Sequence, residues 1–175
     1  MLLQSEGLVN MYPQRGCWVS LIDLDKIDEQ QLLRLYLEKC VLEHIDGKLK
    51  PSDIAGIEYF IALQKEAVEK KDSQSYYTAD DDMHHVYFNA AGFDNFWSIW
   101  MRETGNYRRI RLLSFDAEGS SDKSIEQHEE ILDAFKRNDF EAASRIIGEH
   151  VTKLNYEKDA IIKQHPDYFI SRGEK

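Results

Sequence analysis

Asp80 and His84 stand four residues apart in this chain, and two further histidines, His128 and His150, follow downstream. Three imidazoles and one carboxylate form the donor set of a borderline divalent cation, and a four-residue spacing places the first two one turn apart on a single helix face. Zinc, nickel and manganese all suit such a set, and residue types alone do not choose among them. Metal binding is therefore the first chemistry to weigh.

These residues must share an interior for that chemistry to arise. Three, four and seven positions beyond His84 lie Tyr87, Phe88 and Ala91, an apolar stripe at helical spacing that begins with the Asp80–His84 pair. His128 belongs to the series Ile125, His128, Leu132, Phe135, and His150 to Ala143, Ile147, His150, Leu154. Both are i, i+3 or i+4 patterns of a buried face. Asn138-Asp139 interrupts the run between them, so the two histidines sit on consecutive helices that can fold back on each other. Three helices would then converge on one polar point.

A lone core histidine is most often satisfied by a simple hydrogen bond. An acid one turn away changes the reading, because a buried carboxylate without a partner costs several kcal/mol, about 3–5 when an ion pair is broken. A cation nearby is the economical answer. Asp81 and His85 form a rival pair of equal spacing, but their stripe continues through Asn89 and Gly92 and is more polar. Asp80 and His84 are preferred.

The elements that must position these residues are helical. Residues 8–21 read as two short strands around Pro13-Gln14-Arg15-Gly16, a β-hairpin that needs something to pack on. From residue 28 the period becomes helical, over about 28–45, 52–71, 74–91, 94–117 with a break near Gly105, 122–137 and 139–164. Pro51, Ser52 and Asp53 mark one helix start, and Asn138 with Glu141 a capping-box-like entry to the last helix. Gly119 to Ser121 reads as a loop, and Pro166 to Phe169 as a docked tail.

Composition bounds the function. With 175 residues, of which 42% are hydrophobic, the chain can bury a sizeable core as one main domain. No stretch approaches the ~20 apolar residues of a membrane span, so a cytoplasmic protein without a membrane partner is expected. A formal charge of -10 argues against these residues gripping nucleic acid by themselves. Cys17 and Cys40 match neither a disulfide framework nor a zinc motif.

The chain also carries a family resemblance. Leu33-Arg34 with Leu37-Glu38, Asp80-x-x-Met83-His84 followed by Ala90-Ala91-Gly92, and Arg109-Ile110-Arg111 are three of its pieces. Glu126-Gln127-His128-Glu129-Glu130-Ile131 with Ala134, and Ala142-Ala143 with Glu149-His150, complete it. Together they resemble the FCD effector-binding domain of FadR-type GntR transcription regulators over nearly the whole length. Residues 6–19 are similar to the wing of that family's winged helix-turn-helix. Two departures are Met83, where an aromatic residue is usual, and the longer spacing at Phe93-Asp94-Asn95.

The resemblance implies an all-α fold, an antiparallel bundle of about six or seven helices with a short N-terminal hairpin. Residues 1–24 would be a remnant wing and 25–175 an FCD-like metal- and effector-binding domain. Asp80, His84, His128 and His150 would be the metal set. A small carboxylate or sugar-acid effector would bind at the ion, with Arg34 and Arg111 chosen over Arg108 and Arg109 as the second contact. The chain would lack the recognition helix, act on DNA through a missing N-terminal domain, and pair as a homodimer. The competing reading is a metal-dependent hydrolase, for which His85, Asp81 or Asp82 would have to serve as general base. A third is a purely structural ion that locks the bundle.

Overall fold

A computed structural model of the chain describes residues 2–170 apart from 46, 48 and 118. A short helix α1 (Leu2–Ser5) leads into a hairpin of β1 (Val9–Tyr12) and β2 (Gly16–Val19), paired antiparallel with Val9 opposite Val19 and Tyr12 opposite Gly16. A two-residue strand β3 (Ile22–Asp23) connects the hairpin to the body. The body consists of α2 (Leu24–His44), α3 (Pro51–Glu69), α4 (Ser73–Ala91), α5 (Asp94–Glu103), α6 (Gly105–Ser114), α7 (Ser120–Lys136), α8 (Phe140–Thr152) and α9 (Leu154–Gln164). A 3-10 turn then leads to β4 (Phe169–Ile170), which pairs in parallel with β3.

The all-α bundle expected from periodicity is present, with differences of extent. The stretch expected as one helix over 139–164 breaks at Lys153, where the backbone N–H bonds to the carbonyl of His150, three residues back, instead of four. Neither glycine nor proline marks that break. Helix α7 starts at Ser120 rather than after Ser121, immediately behind Gly119 at φ +71°. The break near Gly105 lies where expected, between α5 and α6.

Two helical hairpins frame the interior, and one device builds both. Helices α3 and α4 pack together, as do α7 and α8, each pair across a connection of three residues, 70–72 and 137–139. In each connection a non-glycine residue takes the left-handed conformation, Lys71 at φ +56° and Asn138 at φ +54°. The next amide closes back on the helix, Asp72 N to Ala67 O and Asp139 N to Ala134 O, both at 2.9 Å. This six-to-one bond satisfies an orphan carbonyl at the helix end. The same aspartate then caps the following helix, accepting from Ser75 N and Ala142 N at 3.0 Å. Asp139, not Asn138, is thus the N-cap of α8.

The core runs between these hairpins and α2, with Val41, Ile45, Ile57, Met83, Tyr87, Ile131, Phe135 and Ile147 fully buried. A second cluster, Ile22, Ile27, Trp100, Tyr107, Ile110, Leu154, Ile161 and Phe169, closes the end where β3 and β4 meet. The tail is docked there through Phe169. The hairpin, by contrast, does not pack its strands. Met11, Tyr12, Trp18 and Val19 are exposed, and the hairpin is held at its base by Ser20 N to Leu8 O at 3.0 Å and Arg109 Nη2 to Ser20 O at 2.7 Å.

The connector geometry sets a test by urea denaturation. Asp139→Ala should lower stability by about 1 kcal/mol through loss of the cap. Lys71→Gly should raise it by about 1 kcal/mol, because lysine is strained in the left-handed region. Asn138→Gly should gain less, since asparagine tolerates that region. A stabilising Asp139→Ala would place the cap elsewhere.

Candidate metal centre

Helix α4 delivers Asp80 and His84 to the interior, α7 delivers His128 and α8 delivers His150, and all four are buried. One donor atom from each lies within 4.8 Å of the other three. His128 Nε2 sits 3.3 Å from His150 Nε2 and 3.5 Å from Asp80 Oδ1. Donor pairs on a common ion are separated by roughly 3–4.4 Å for bond lengths of about 2.0–2.2 Å. A small inward adjustment would bring the widest pair into that range.

The residues around the cluster fix its tautomers. His128 Nδ1 meets Gln64 Oε1 at 2.7 Å, and Gln64 is oriented by donating its own amide to Ala79 O at 3.5 Å. His150 Nδ1 meets Gln127 Oε1 at 3.2 Å. His84 Nδ1 meets Glu38 Oε2 at 3.0 Å and the Tyr87 hydroxyl, which itself donates to Glu38. Each Nδ1 faces an acceptor and carries a hydrogen, so in the neutral ring each Nε2 is a bare lone pair. The contact between the two Nε2 atoms is therefore not a hydrogen bond between neutral rings. His84 Nε2 is buried without any partner. Three lone pairs and a carboxylate oxygen converge with no proton among them, and that is the arrangement a cation fits.

Burial decides the protonation of this cluster. It holds the His128 imidazole down at about 3, the neighbouring Asp80 charge opposing but not overcoming it. Burial likewise keeps His150 well below its ordinary value, with His128 and His84 adding to the effect. For Asp80, burial favours the neutral acid, but Arg111, then His84, His128 and Arg34, outweigh it and hold the carboxyl well below the carboxylate range. Glu38 is held at about 2 in the same way, burial being overcome by His84 and Arg34. For His128, His150 and Asp80 the ligand forms, neutral imidazole and ionised carboxylate, are already in place.

Two arginines stand behind the carboxylate. Arg111 pairs with Asp80 through Nη2 and with Asp81 through Nη1, the latter at 3.1 Å, and its guanidinium lies 4.8 Å over the Tyr77 ring. Arg34 bonds Glu38 Oε1 at 2.6 Å and packs 5.2 Å from the Trp100 ring, while its Nη2, 3.9 Å from Asp80, has no hydrogen-bond partner. Both line a cavity of about 30 Å³ next to Asp80 and His150, walled further by Tyr107, Ser124, Lys153 and Glu157. That volume admits about one or two waters. Arg108 reaches Asp81 at 3.3 Å and Arg109 turns to Ser20, so neither lines this cavity.

The rival pair divides. Asp81 is buried, but on the arginines of α6 rather than at the centre, and His85 lies half-buried against Trp97, stacked at 5.0 Å and bonded to Asp94 Oδ1 at 3.0 Å. Glu38, Gln64 and Gln127, which orient the imidazoles, and Lys153, in the cavity wall, were not among the expected site residues. A signal for three of them existed, because Gln31, Arg34 and Glu38, like Gln64 and Gln127, are polar positions on buried helix faces.

Residues 31–153 match the FCD domain. The chain belongs to the FCD domain family. Similar proteins include the HTH-type transcriptional repressor RspR of Escherichia coli, 23% identical over 95% of this chain and 73% of the relative. An HTH-type transcriptional regulator in an unstable DNA locus of Streptomyces ambofaciens is 25% identical over 98% of this chain and 72% of its own length. Among solved structures, E. coli McbR/YncC superposes with a TM-score of 0.73 at 18% identity, covering 93% of this chain and 80% of that one. A GntR-type putative transcriptional regulator from Rhodococcus sp. RHA1 gives 0.65 at 22%, covering 95% and 77%. These likenesses support the FCD fold seen here.

The protonation pattern sets the pH response of chelator-treated protein. In the unfolded chain a histidine titrates near 6.5, whereas folded His128 takes its proton only near 3. Between those values the unfolded state binds more protons, so stability falls as pH drops from about 6.5. Glu38 and Asp80, whose folded values are depressed, add a further loss below about 4. Unfolding measured from pH 7.5 to 4.5 should show this slope, and His128→Gln should flatten it. An equal slope in both proteins would mean that His128 is not held neutral by the fold.

Proposed function

We propose that the chain is the effector-sensing part of a GntR-type transcription regulator, in which Asp80, His84, His128 and His150 hold a divalent ion that anchors a small carboxylate or sugar acid. One observation carries this reading. Four acceptor atoms on three helices face one another, with every imidazole N–H directed outward. Zinc, nickel and manganese remain the candidates, since the donor set is mixed nitrogen and oxygen. Four donors close a tetrahedral site and leave positions open on an octahedral ion, so coordination number separates a structural lock from a sensor.

Charge favours an anionic effector. Arg34 and Arg111 are buried with Glu38, Asp80 and Asp81, two guanidinium groups against three carboxylates. The cluster alone is one charge negative, and a divalent cation makes it one charge positive. A carboxylate then restores neutrality, which buried charge requires. Arg34 Nη2 supplies an unused donor, and Arg111, which shares the cavity wall, also holds Asp80 through Nη2 and Asp81 through Nη1. The cavity must widen to admit an effector, and Lys153 at the α8–α9 junction forms part of its wall.

The three bases considered for the hydrolase reading stand away from the centre or are already engaged. His85 lies outside against Trp97, Asp81 is engaged by Arg108 and Arg111, and Asp82 is exposed. The relatives named above are called transcriptional regulators. DNA is accordingly taken as the partner of the whole regulator, acting in the cytoplasm as a homodimer suited to two-fold operators. Among the described residues no helix is long and apolar enough to cross a membrane.

Elemental analysis tests the centre. Purified protein should carry about one divalent ion per chain. His128→Ala, His150→Ala and His84→Gln should each lose it, and His85→Gln should keep it. Equal metal in His128→Ala and wild type would sink the assignment. Di- and tricarboxylates, sugar acids and hydroxy acids should then be screened by thermal shift with and without chelator. A matching acid at ~100 times Kd should add about 2.7 kcal/mol of stability, and only with metal present. Hits that persist in chelator would detach the effector from the ion, and turnover of any hit would restore the hydrolase.

A further inference from the structure

A second cavity, of about 200 Å³, opens on the far side of the wall formed by Tyr77 and Arg111. It is several times larger than the cavity beside the metal residues, and Tyr77 and Arg111 line both. Its floor is α4 and α6, and Leu8, from the segment leading into the hairpin, closes it. Leu8 approaches so closely that a side chain at Gly105 would meet its Cδ2 at 3.0 Å. The cavity therefore lies in the seam between the N-terminal segment and the body.

Its lining has two characters. One end holds three guanidinium groups from one stretch of α6, Arg108, Arg109 and Arg111, of which Arg108 and Arg111 pair with the carboxylate of Asp81. Arg109 is spent on the backbone of Ser20, and Arg111 is divided between Asp80 and Asp81. Arg108 is partly exposed and holds Asp81 only at 3.3 Å, a long contact for a charge-assisted bond. It has donors to spare. The other end is apolar, formed by Leu8, Leu112, the Tyr77 ring and the aliphatic part of Thr78.

We propose that this seam pocket is a second ligand site, separate from the metal centre, for a small carboxylate carried on an apolar ring or short hydrocarbon body. The carboxylate pairs with Arg108 at the edge of the Asp81 cluster, and the body lies between Leu8 and Leu112. A ligand there touches the body and the N-terminal segment at once, so its binding fastens the base of the hairpin to α6. Neither the ion nor any of its four ligands takes part.

Benzoate is the probe, titrated calorimetrically into the full chain after chelator treatment, so that failure of the metal reading leaves the result intact. Wild type should bind it. Arg108→Gln should weaken binding about tenfold, the value of one charge-assisted hydrogen bond. Thr78→Trp, which fills the pocket from an exposed position, should abolish it, and Asp81→Asn should strengthen it by removing the competing carboxylate. Circular dichroism melts verify that Arg108→Gln and Thr78→Trp remain folded. Absence of benzoate binding in wild type, or equal binding in wild type, Arg108→Gln and Thr78→Trp, would overturn the site.

Discussion

Each of the three core imidazoles spends its only hydrogen on an acceptor outside the cluster, and this constraint organises the interior. Glu38 of α2, Gln64 of α3 and Gln127 of α7 take those hydrogens, leaving lone pairs that point at one another. Neutral rings arranged this way repel, and no donor among the described residues relieves His84 Nε2. Buried polar atoms are satisfied in the great majority of native structures, so an orphan at the focus of three others marks a place meant for something else. The orienting residues matter as much as the ligands, because they set which nitrogen is free.

Asp80 is the point at which this cluster joins the rest of the fold. Its Oδ1 faces His128 while its Oδ2 is held by Arg111, so one carboxylate serves the centre and the α6 cation together. Arg111 in turn holds Asp81, and Asp81 holds Arg108 toward the surface. Buried ion pairs are weak contributors to net stability but expensive to break singly. Each member of the chain from Asp80 to Arg108 is thus retained by its neighbour, and the helices that carry them, α4 and α6, keep one register.

Helical periodicity made much of this legible. Asp80, His84, His128 and His150 could be placed inward because each interrupts an apolar stripe, and all four are buried together. The same rule applied to α2 would have found Glu38, since Ile27, Gln31, Arg34, Glu38, Val41 and Leu42 form one buried face with three polar members. Other features were beyond sequence. The break at Lys153 carries no glycine or proline, and its side chain instead reaches Ser120 O at 2.7 Å and Ser124 Oγ at 2.6 Å on another helix. The pairing of Ile22–Asp23 with Phe169–Ile170 joins opposite ends of the chain, which no local pattern records. Asn138 looked like a cap because its side chain suits one, but the connector needed its backbone in the left-handed region and left the capping to Asp139.

Those two unreadable features act on the same element. Lys153, Leu154 and Glu157 wall the small cavity beside Asp80, at the start of α9. The far end of α9 packs Ile161 in the second core cluster and passes through the 3-10 turn to Phe169, whose strand pairs with the residues that lead out of the hairpin. Lys158 also ties α9 to Asp28 of α2 at 2.5 Å. A cavity of about 30 Å³ has no room for a metabolite, so one that binds must displace part of its lining, to which Lys153, Leu154 and Glu157 belong. Close-packed interiors transmit such a shift instead of absorbing it. Because the chain leaving α9 pairs with β3 through Phe169–Ile170, this helix links the wall of the cavity to the base of the hairpin.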